Sequence, residues 1–248
     1  MENNEFEKVS FCTFNNIECN DMFELFDNMG EYWEEGKQFL YSGEILQYFE
    51  DEFSNENMII LSAIEEMLLG SCDPDQLFYD TLLKLNPNSK KIYWKGKVAE
   101  DYDEFIGFFE KIIDEQDGKC IIKVKKLLDD SFLSLYTKRI ITDQHIYDTL
   151  VFLEQQSRMI VENNEFIKIC KYLYFMLYDK ASIVIEKVTF NTVEELANHL
   201  MKLEQGSFDV FEKFCKLIVS PKGIISEEIY YWLVSKGYFE KIEEWKNR

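Results

Sequence analysis

Proline and glycine are scarce in this sequence, and their scarcity limits the possible folds more than any other feature. Among 248 residues there are 3 Pro and 10 Gly, whereas 16% are aromatic. Sandwiches and barrels with many strands need frequent turns, which Pro and Gly usually supply. The 46% of hydrophobic residues is enough for a continuous core. The composition therefore favours a mostly α-helical protein.

A short block of sequence recurs along the chain. Residues 13–18 (TFNNIE) are similar to residues 189–194 (TFNTVE), and residues 98–105 lie near the midpoint between them. Repetition on this scale indicates supersecondary units that bury their open faces on one another. It predicts tandem helical repeats of about 88 residues with short β segments between them; chance similarity among helices rich in Phe, Glu and Lys is the alternative. We place the repeats at residues 1–97, 98–187 and, truncated, 188–248.

Local signals place several turns, caps and strands. Gly43 can adopt a positive φ and so begin a new helix at a different angle. The apolar stripe of residues 58–69 ends at Gly70, and Asp73 followed by Pro74 is typical of a helix N-terminus. Two further segments are rich in β-branched and aromatic residues, which predicts short strands. They are residues 91–94 and 182–185.

One segment follows the pattern Trp-x2-Gly-x2-Phe-Leu-x2-Gly-x-Ile. Its residues are Trp33, Gly36, Phe39, Leu40, Gly43 and Ile45. The pattern resembles a helical repeat module of bacterial multidomain regulatory proteins, in which it accompanies kinase-like or Hsp70-like modules. The third repeat departs from it, with Phe211 and Phe214 in place of the Trp and Gly. The resemblance implies an interaction scaffold, in a setting such as bacterial stress or antiphage defence, and it provides no catalytic residues.

The sequence offers little to support catalysis or cofactor binding. His145 and His199 are the two histidines, and neither belongs to a metal-binding motif. No glycine-rich phosphate loop or nucleophile elbow occurs, and the six cysteines are far apart without a CxxC pair. We expect no catalytic residue, no cofactor and no metal. An enzyme of an unfamiliar type would instead require polar residues that converge in a pocket.

The charge of the chain restricts its partners. With 47 acidic and 27 basic residues, the formal net charge is -20, which disfavours direct binding to nucleic acid. The acidity suits a protein partner with a basic surface, or imitation of a nucleic acid, although solubility alone would also explain it. The N-terminus lacks the features of a signal peptide, and no apolar run reaches the roughly 20 residues of a membrane span. We therefore expect a cytoplasmic protein without a membrane contact.

Five residues are candidates for partner binding. Tyr93, Trp94 and Lys95 combine aromatic rings with a basic island, and Tyr238 and Trp245 belong to an aromatic C-terminal segment. The simpler interpretations are that lysines protect the edge of a short strand and that the aromatic residues belong to the core. The sequence predicts a non-enzymatic, acidic protein-protein interaction module. The alternative is a nucleic-acid mimic that occupies a basic DNA- or RNA-binding channel.

Overall fold

The chain folds into two compact units, Met1–Phe105 (unit 1) and Ile106–Arg248 (unit 2). The computed structural model describes residues 11–49, 51, 53–70 and 72–246, without the side chains of residues 245 and 246. The described part is mostly helical, with three small two-stranded sheets, which confirms the predicted fold class at this level. No helix in these ranges has the length and hydropathy needed to cross a bilayer.

In the described part of the first unit, a hairpin lies on either side of the helices. Its elements are β1 (Cys12–Phe14), β2 (Ile17–Cys19), α1 (Met22–Glu31), α2 (Trp33–Tyr41), a 3₁₀ helix (Glu44–Tyr48), α3 (Asn55–Leu69), α4 (Pro74–Leu85), β3 (Ile92–Tyr93) and β4 (Lys97–Ala99). The following helix, α5 (Tyr102–Glu115), crosses the boundary between the units.

The second unit contains one further hairpin among its helices. Its elements are α6 (Gly118–Asp129), α7 (Phe132–Thr137), α8 (Gln144–Ser157), α9 (Asn163–Leu177), β5 (Ile183–Ile185), β6 (Val188–Phe190), α10 (Val193–Gly206), α11 (Phe208–Ile218), α12 (Glu227–Ser235) and α13 (Phe239–Lys246). The strands predicted at residues 91–94 and 182–185 are confirmed as β3 and β5. Each pairs antiparallel with the strand that follows it in the chain.

Each hairpin leads into a helix that begins with a variant of the capping box, in which the carboxylate at N3 accepts from the residue before the N-cap. The backbone N–H of Glu24 donates to Oδ1 of Asp21 over 2.9 Å, and Oε2 of Glu24 accepts from the N–H of Asn20 over 2.8 Å. This arrangement satisfies N–H groups that have no partner inside the helix. The same pairs of bonds recur at the starts of α5 and α10, through Asp101 with Glu104 and Thr192 with Glu195. We call the hairpin plus its capped helix the hairpin–helix module.

The hairpin–helix modules correspond to one another in a different register from the one that the similarity of residues 13–18 and 189–194 suggests. Residues 13–18 form β1, its turn and the start of β2, whereas residues 189–194 form the end of β6, the N-cap and the first turn of α10. The N-caps are 80 residues apart between Asp21 and Asp101 and 91 between Asp101 and Thr192. An 88-residue period is therefore not confirmed, and the division into three repeats stays a prediction.

Aromatic residues and a close helix crossing organise the core of unit 1. The rings of Trp33 and Phe78 meet edge to face, with centroids 4.8 Å apart, where α2 lies against α4. At Gly36, α2 passes so close to α1 that a Cβ atom would lie 2.4 Å from the carbonyl oxygen of Met29. This contact fixes the angle at which α2 leaves α1, and α2 forms one wall of the cleft described below.

The core of unit 2 is centred on Trp232. Its ring is fully buried, and its indole N–H donates to the backbone oxygen of Ala181 over 3.1 Å. Tyr172 of α9 and Tyr231 of α12 stack with their centroids 4.4 Å apart. These contacts join α12 to α9 and to the segment that precedes β5.

Candidate functional site

The acidity of the protein is concentrated in unit 1. Its 105 residues include 24 acidic and 7 basic residues, a formal charge of -17, whereas unit 2 has 23 acidic and 20 basic residues, a charge of -3. Electrostatic attraction of a cationic partner therefore acts mainly on unit 1.

An open cleft of about 440 Å³ lies on this acidic unit. Helix α2 forms one wall, with side chains that are three, four or seven positions apart and so share one helix face. The end of α3 and the start of α4 complete the cleft. The lining residues are Glu34, Glu35, Lys37, Gln38, Tyr41, Met67 and Pro74.

A half-buried carboxylate, Asp75, holds the wall of the cleft in place. Oδ1 of Asp75 accepts from the indole N–H of Trp33 over 2.8 Å and from Nζ of Lys37 over 2.6 Å. Nζ of Lys95 lies 3.7 Å from Oδ2. Burial acts against ionisation here, but the hydrogen bonds from Lys37 and Trp33 outweigh it and hold the pKa of Asp75 below its ordinary value. Asp75 is therefore an anion that joins α2 to α4.

Tyr41 supplies an aromatic surface within the cleft. Its hydroxyl donates to the backbone oxygen of Pro74 over 3.1 Å. Burial raises the pKa of Tyr41 above its ordinary value, and the acidic groups around it, among them Asp75, Asp73 and Glu66, raise it further. The hydroxyl therefore remains protonated at neutral pH, and the same groups make the potential at the ring negative.

The carboxylates at the mouth of the cleft are open to solvent. Glu34 forms an ion pair with Lys37 at 3.0 Å, yet 75% of its side chain is exposed. Glu35 is exposed and makes no ion pair with a described residue. Because Lys37 is already neutralised by Asp75 and Glu34, the mouth keeps an excess of negative charge. Next to the apolar surface of Met67 and Tyr41, such a site suits an arginine or lysine side chain, whose stem is apolar and whose end is cationic.

The predicted residues Tyr93 and Trp94 belong to the core of unit 1. Their exposed fractions are 7% and 8%, so their rings pack inside unit 1 and present little surface, and their role in partner binding stays a prediction. Trp94 packs against Trp33, with centroids 5.9 Å apart, and Tyr93 packs flat against Gly30. Lys95 is exposed, and its ammonium lies 5.6 Å from the centre of the Trp94 ring. Its second contact, with Asp75, places Lys95 close to the cleft wall.

The other two predicted residues belong to unit 2. Tyr238 is half-buried, its hydroxyl donates to Glu194 over 3.3 Å, and Nζ of Lys241 lies 4.7 Å from its ring centre. The Trp245 side chain lies outside the described residues. Tyr93, Trp94 and Lys95 thus lie in unit 1, and Tyr238 lies in unit 2.

Sequence reasoning did not identify the cleft. Glu34 and Glu35 are one of several carboxylate pairs in the sequence, and a solvated helix face explains such pairs better than a functional site does. Tyr41, Met67 and Pro74 come from three different helices, and their proximity depends on how those helices pack. A count of charges along the chain shows that its first part is the more acidic, but it marks neither the end of unit 1 nor the cleft.

Both histidines contact aromatic rings, although His145 is exposed and His199 is half-buried. His145 stacks on Phe239, with centroids 4.2 Å apart, and His199 lies between Phe190 and Phe214 at 5.3 and 5.0 Å. In the described ranges, no group of three or more His, Cys, Asp or Glu side chains is arranged to hold a metal ion.

No protein-family model matches the chain, and neither the curated proteins nor the solved structures contain a significant match. The resemblance of residues 33–45 to a bacterial helical repeat module therefore stays a prediction.

Proposed function

We propose that the protein is a non-enzymatic interaction module and that the cleft of unit 1 binds a basic segment of a partner protein. The observation that supports this most strongly is the combination of exposed Glu34 and Glu35 with the apolar surface of Met67 and Tyr41, in a unit with a charge of -17. A cytoplasmic adaptor, inhibitor or regulatory component of a bacterial stress or antiphage system fits this proposal. That setting rests on the sequence resemblance alone.

The magnitudes indicate how such a segment would bind. An exposed ion pair contributes only about 0.2–1 kcal/mol, so two carboxylates alone give weak affinity. Burial of aliphatic stems and neighbouring apolar side chains adds about 25 cal/mol per Å². The long-range field of unit 1 mainly accelerates association and weakens as salt is added. Binding should therefore need both basic and apolar residues in the partner.

A short peptide that alternates arginine and leucine is a direct probe. Its binding to the full chain is measured by fluorescence anisotropy at several salt concentrations. The variant with Glu34→Gln and Glu35→Gln should bind about tenfold more weakly, a loss of roughly 1.4 kcal/mol. The matched control changes two exposed carboxylates of unit 2, Glu115→Gln and Glu204→Gln, and removes the same charge while leaving affinity nearly unchanged. Equal weakening in both variants would contradict binding at the cleft.

A nucleic-acid mimic is the second candidate, because the acidity is concentrated in one unit instead of spread evenly. A mimic binds through charge, so a peptide of lysine alone would bind as tightly as the arginine–leucine peptide. Its affinity would also fall steeply with salt. The cleft proposal instead predicts that the lysine peptide binds clearly more weakly than the arginine–leucine peptide at moderate salt.

A further inference from the structure

The three hairpin–helix modules can be compared position by position. In each hairpin, the residue two positions before the N-cap lies directly opposite a residue of the first strand. All six side chains are at most 4% exposed, so this pair is a core position in every module. The pairs are Cys12 with Cys19, Ile92 with Ala99, and Ile183 with Phe190. Two modules thus fill the position with hydrocarbon side chains, and the first fills it with two thiols.

The geometry of the hairpin suits a bond between these thiols. Residues directly opposite in an antiparallel ladder have Cα atoms about 4.5 or 5.5 Å apart, and their side chains point to the same face. A disulfide joins Cα atoms that are about 4.4–6.8 Å apart, so both spacings fit. The Cβ atoms of opposite residues are about 4.5–5.5 Å apart, whereas a disulfide needs about 3.5–4.5 Å. Cys12 and Cys19 therefore need to approach by up to about 1 Å.

The surroundings of the pair determine how fast it can react. The Nδ2 group of Asn28 donates to Sγ of Cys19 over 3.4 Å, and the thiol of Cys19 donates to the backbone oxygen of Ile17 over 3.8 Å. Burial raises the pKa of Cys12 to about 12, and the neighbouring Cys19 thiol contributes to this rise. Since the thiolate is the reactive form, both buried thiols react slowly while the hairpin is closed.

Local opening of the hairpin gives an oxidant access to the pair. The hairpin has two strands of three residues, and a hairpin of two strands alone is marginally stable in water. Its other face carries the exposed residues Thr13 and Glu18, so opening exposes only the buried face. Such local openings cost less free energy than unfolding of the whole protein.

We infer that Cys12 and Cys19 are a reversible oxidation site, which forms an intramolecular disulfide at the expense of a low-molecular-weight disulfide such as oxidised glutathione. One cysteine loses its proton and attacks the small disulfide, which forms a mixed disulfide and releases one small thiolate that takes up a proton. The second cysteine then displaces the other small thiol and completes the Sγ–Sγ bond. The two protein thiols are thereby oxidised, and one small disulfide is reduced to two thiols.

This bond would stabilise the hairpin and its packing on the helices of unit 1. Both strands contact α1, and the ring of Phe14 lies 5.3 Å from the ring of Phe39 in α2. A crosslink between the strands removes open conformations in which these contacts are lost. The redox state of the solution is thus linked to the stability of the first module.

Mass spectrometry of the wild-type chain tests the bond directly. The full chain is incubated at increasing ratios of oxidised to reduced glutathione, freed of glutathione at acid pH, unfolded, alkylated and digested with trypsin. No Lys or Arg lies between Lys8 and Lys37, so one peptide, residues 9–37, carries both cysteines. This peptide should lose two hydrogen atoms and resist alkylation, and dithiothreitol should reverse both changes. Alkylation of both cysteines at every ratio, or glutathione attached to each of them, would overturn the proposal.

The second module supplies a matched control variant. Cys12→Ile combined with Cys19→Ala reproduces the buried pair of Ile92 and Ala99. Oxidation should slow amide hydrogen exchange of β1 and β2 at least about tenfold in the wild type, and it should leave the exchange of the variant unchanged. An equal response of the variant would show that the effect arises elsewhere in the chain. Neither measurement involves a peptide at the cleft, so this proposal and the proposed function can fail separately.

Discussion

Gly36 and Gly107 both lie inside helices, but they differ in the space that a Cβ atom would find there. Gly36 lies where α2 crosses α1, and a Cβ atom there would be 2.4 Å from a backbone oxygen that cannot move alone. Gly107, in α5, has no atom within 4 Å of the same position. The sequence shows a glycine in both places, but the close approach at Gly36 depends on the path of α1. The packing of the Trp-x2-Gly pattern could therefore not be predicted from its residues alone.

Replacement of each glycine by alanine should have opposite effects. Gly36→Ala should lower the free energy of unfolding by about 1–3 kcal/mol, because the backbone of α1 or α2 has to shift. Gly107→Ala should raise it by up to about 1 kcal/mol, because alanine favours helix more than glycine does. Urea unfolding followed by far-UV circular dichroism measures both changes. An unchanged midpoint for Gly36→Ala would show that the helix crossing can relax.

At the scale of elements, the sequence predicted helix ends better than turns between strands. Gly43 and Gly70 have φ values of 78° and 62°, and Asp73 caps α4 directly before Pro74, as expected. The turn between β5 and β6 places Glu186 and Lys187 at positive φ. Neither residue favours the left-handed region, in contrast to the Asn and Gly typical of such turns. This hairpin thus had no local turn signal and was not predicted.

The short helix α7 begins on a carboxylate from another helix. Oε1 of Glu154, in α8, accepts from the backbone N–H of Leu133 over 2.9 Å, and both carboxylate oxygens accept from the N–H of Ser134 over 3.3 Å. Glu154 is buried. Burial raises the pKa of Glu154 above its ordinary value, although these hydrogen bonds oppose the rise. The ionised form is therefore less favourable in the folded chain than in the unfolded one.

The pH dependence of stability should reveal this buried carboxyl group. A carboxyl group with a raised folded pKa stabilises the fold fully below its unfolded pKa, and this contribution is lost as the pH rises through the folded pKa. The difference in unfolding free energy between wild type and Glu154→Gln should therefore decrease as the pH rises from 4.5. Glu212→Gln is a control of opposite sign, because the hydrogen bond from Lys216 lowers the pKa of Glu212, so the stabilisation by Glu212 is lost as the pH falls below 4.5. Parallel slopes for the two variants would contradict the prediction.

At the scale of the whole molecule, charge and hydrophobic residues are distributed differently. Hydrophobic residues build a core in both units, while most of the net charge lies in unit 1. The net charge of -20 is visible in the sequence, but how this charge divides between the units depends on where unit 1 ends. That boundary falls inside α5, and no loop or proline marks it in the sequence. This is why composition predicted an acidic protein and not an acidic unit.

Salt should therefore stabilise the two units unequally. Repulsion among the 24 acidic residues of unit 1 opposes its compact state, and at physiological ionic strength charges more than ~8 Å apart are largely screened. Raising the sodium chloride concentration should slow amide hydrogen exchange in α1–α4 more than in α8, α9 and α12. Mass spectrometry of proteolytic peptides measures the exchange of both units in the same sample. Sodium sulfate, which also strengthens apolar burial, should protect both units. Equal protection of both units by dilute sodium chloride would contradict this prediction. It would mean that ion pairs within unit 1, such as Lys37 with Asp75, already balance the repulsion among its carboxylates. The excess charge at the cleft would then attract a basic segment only weakly.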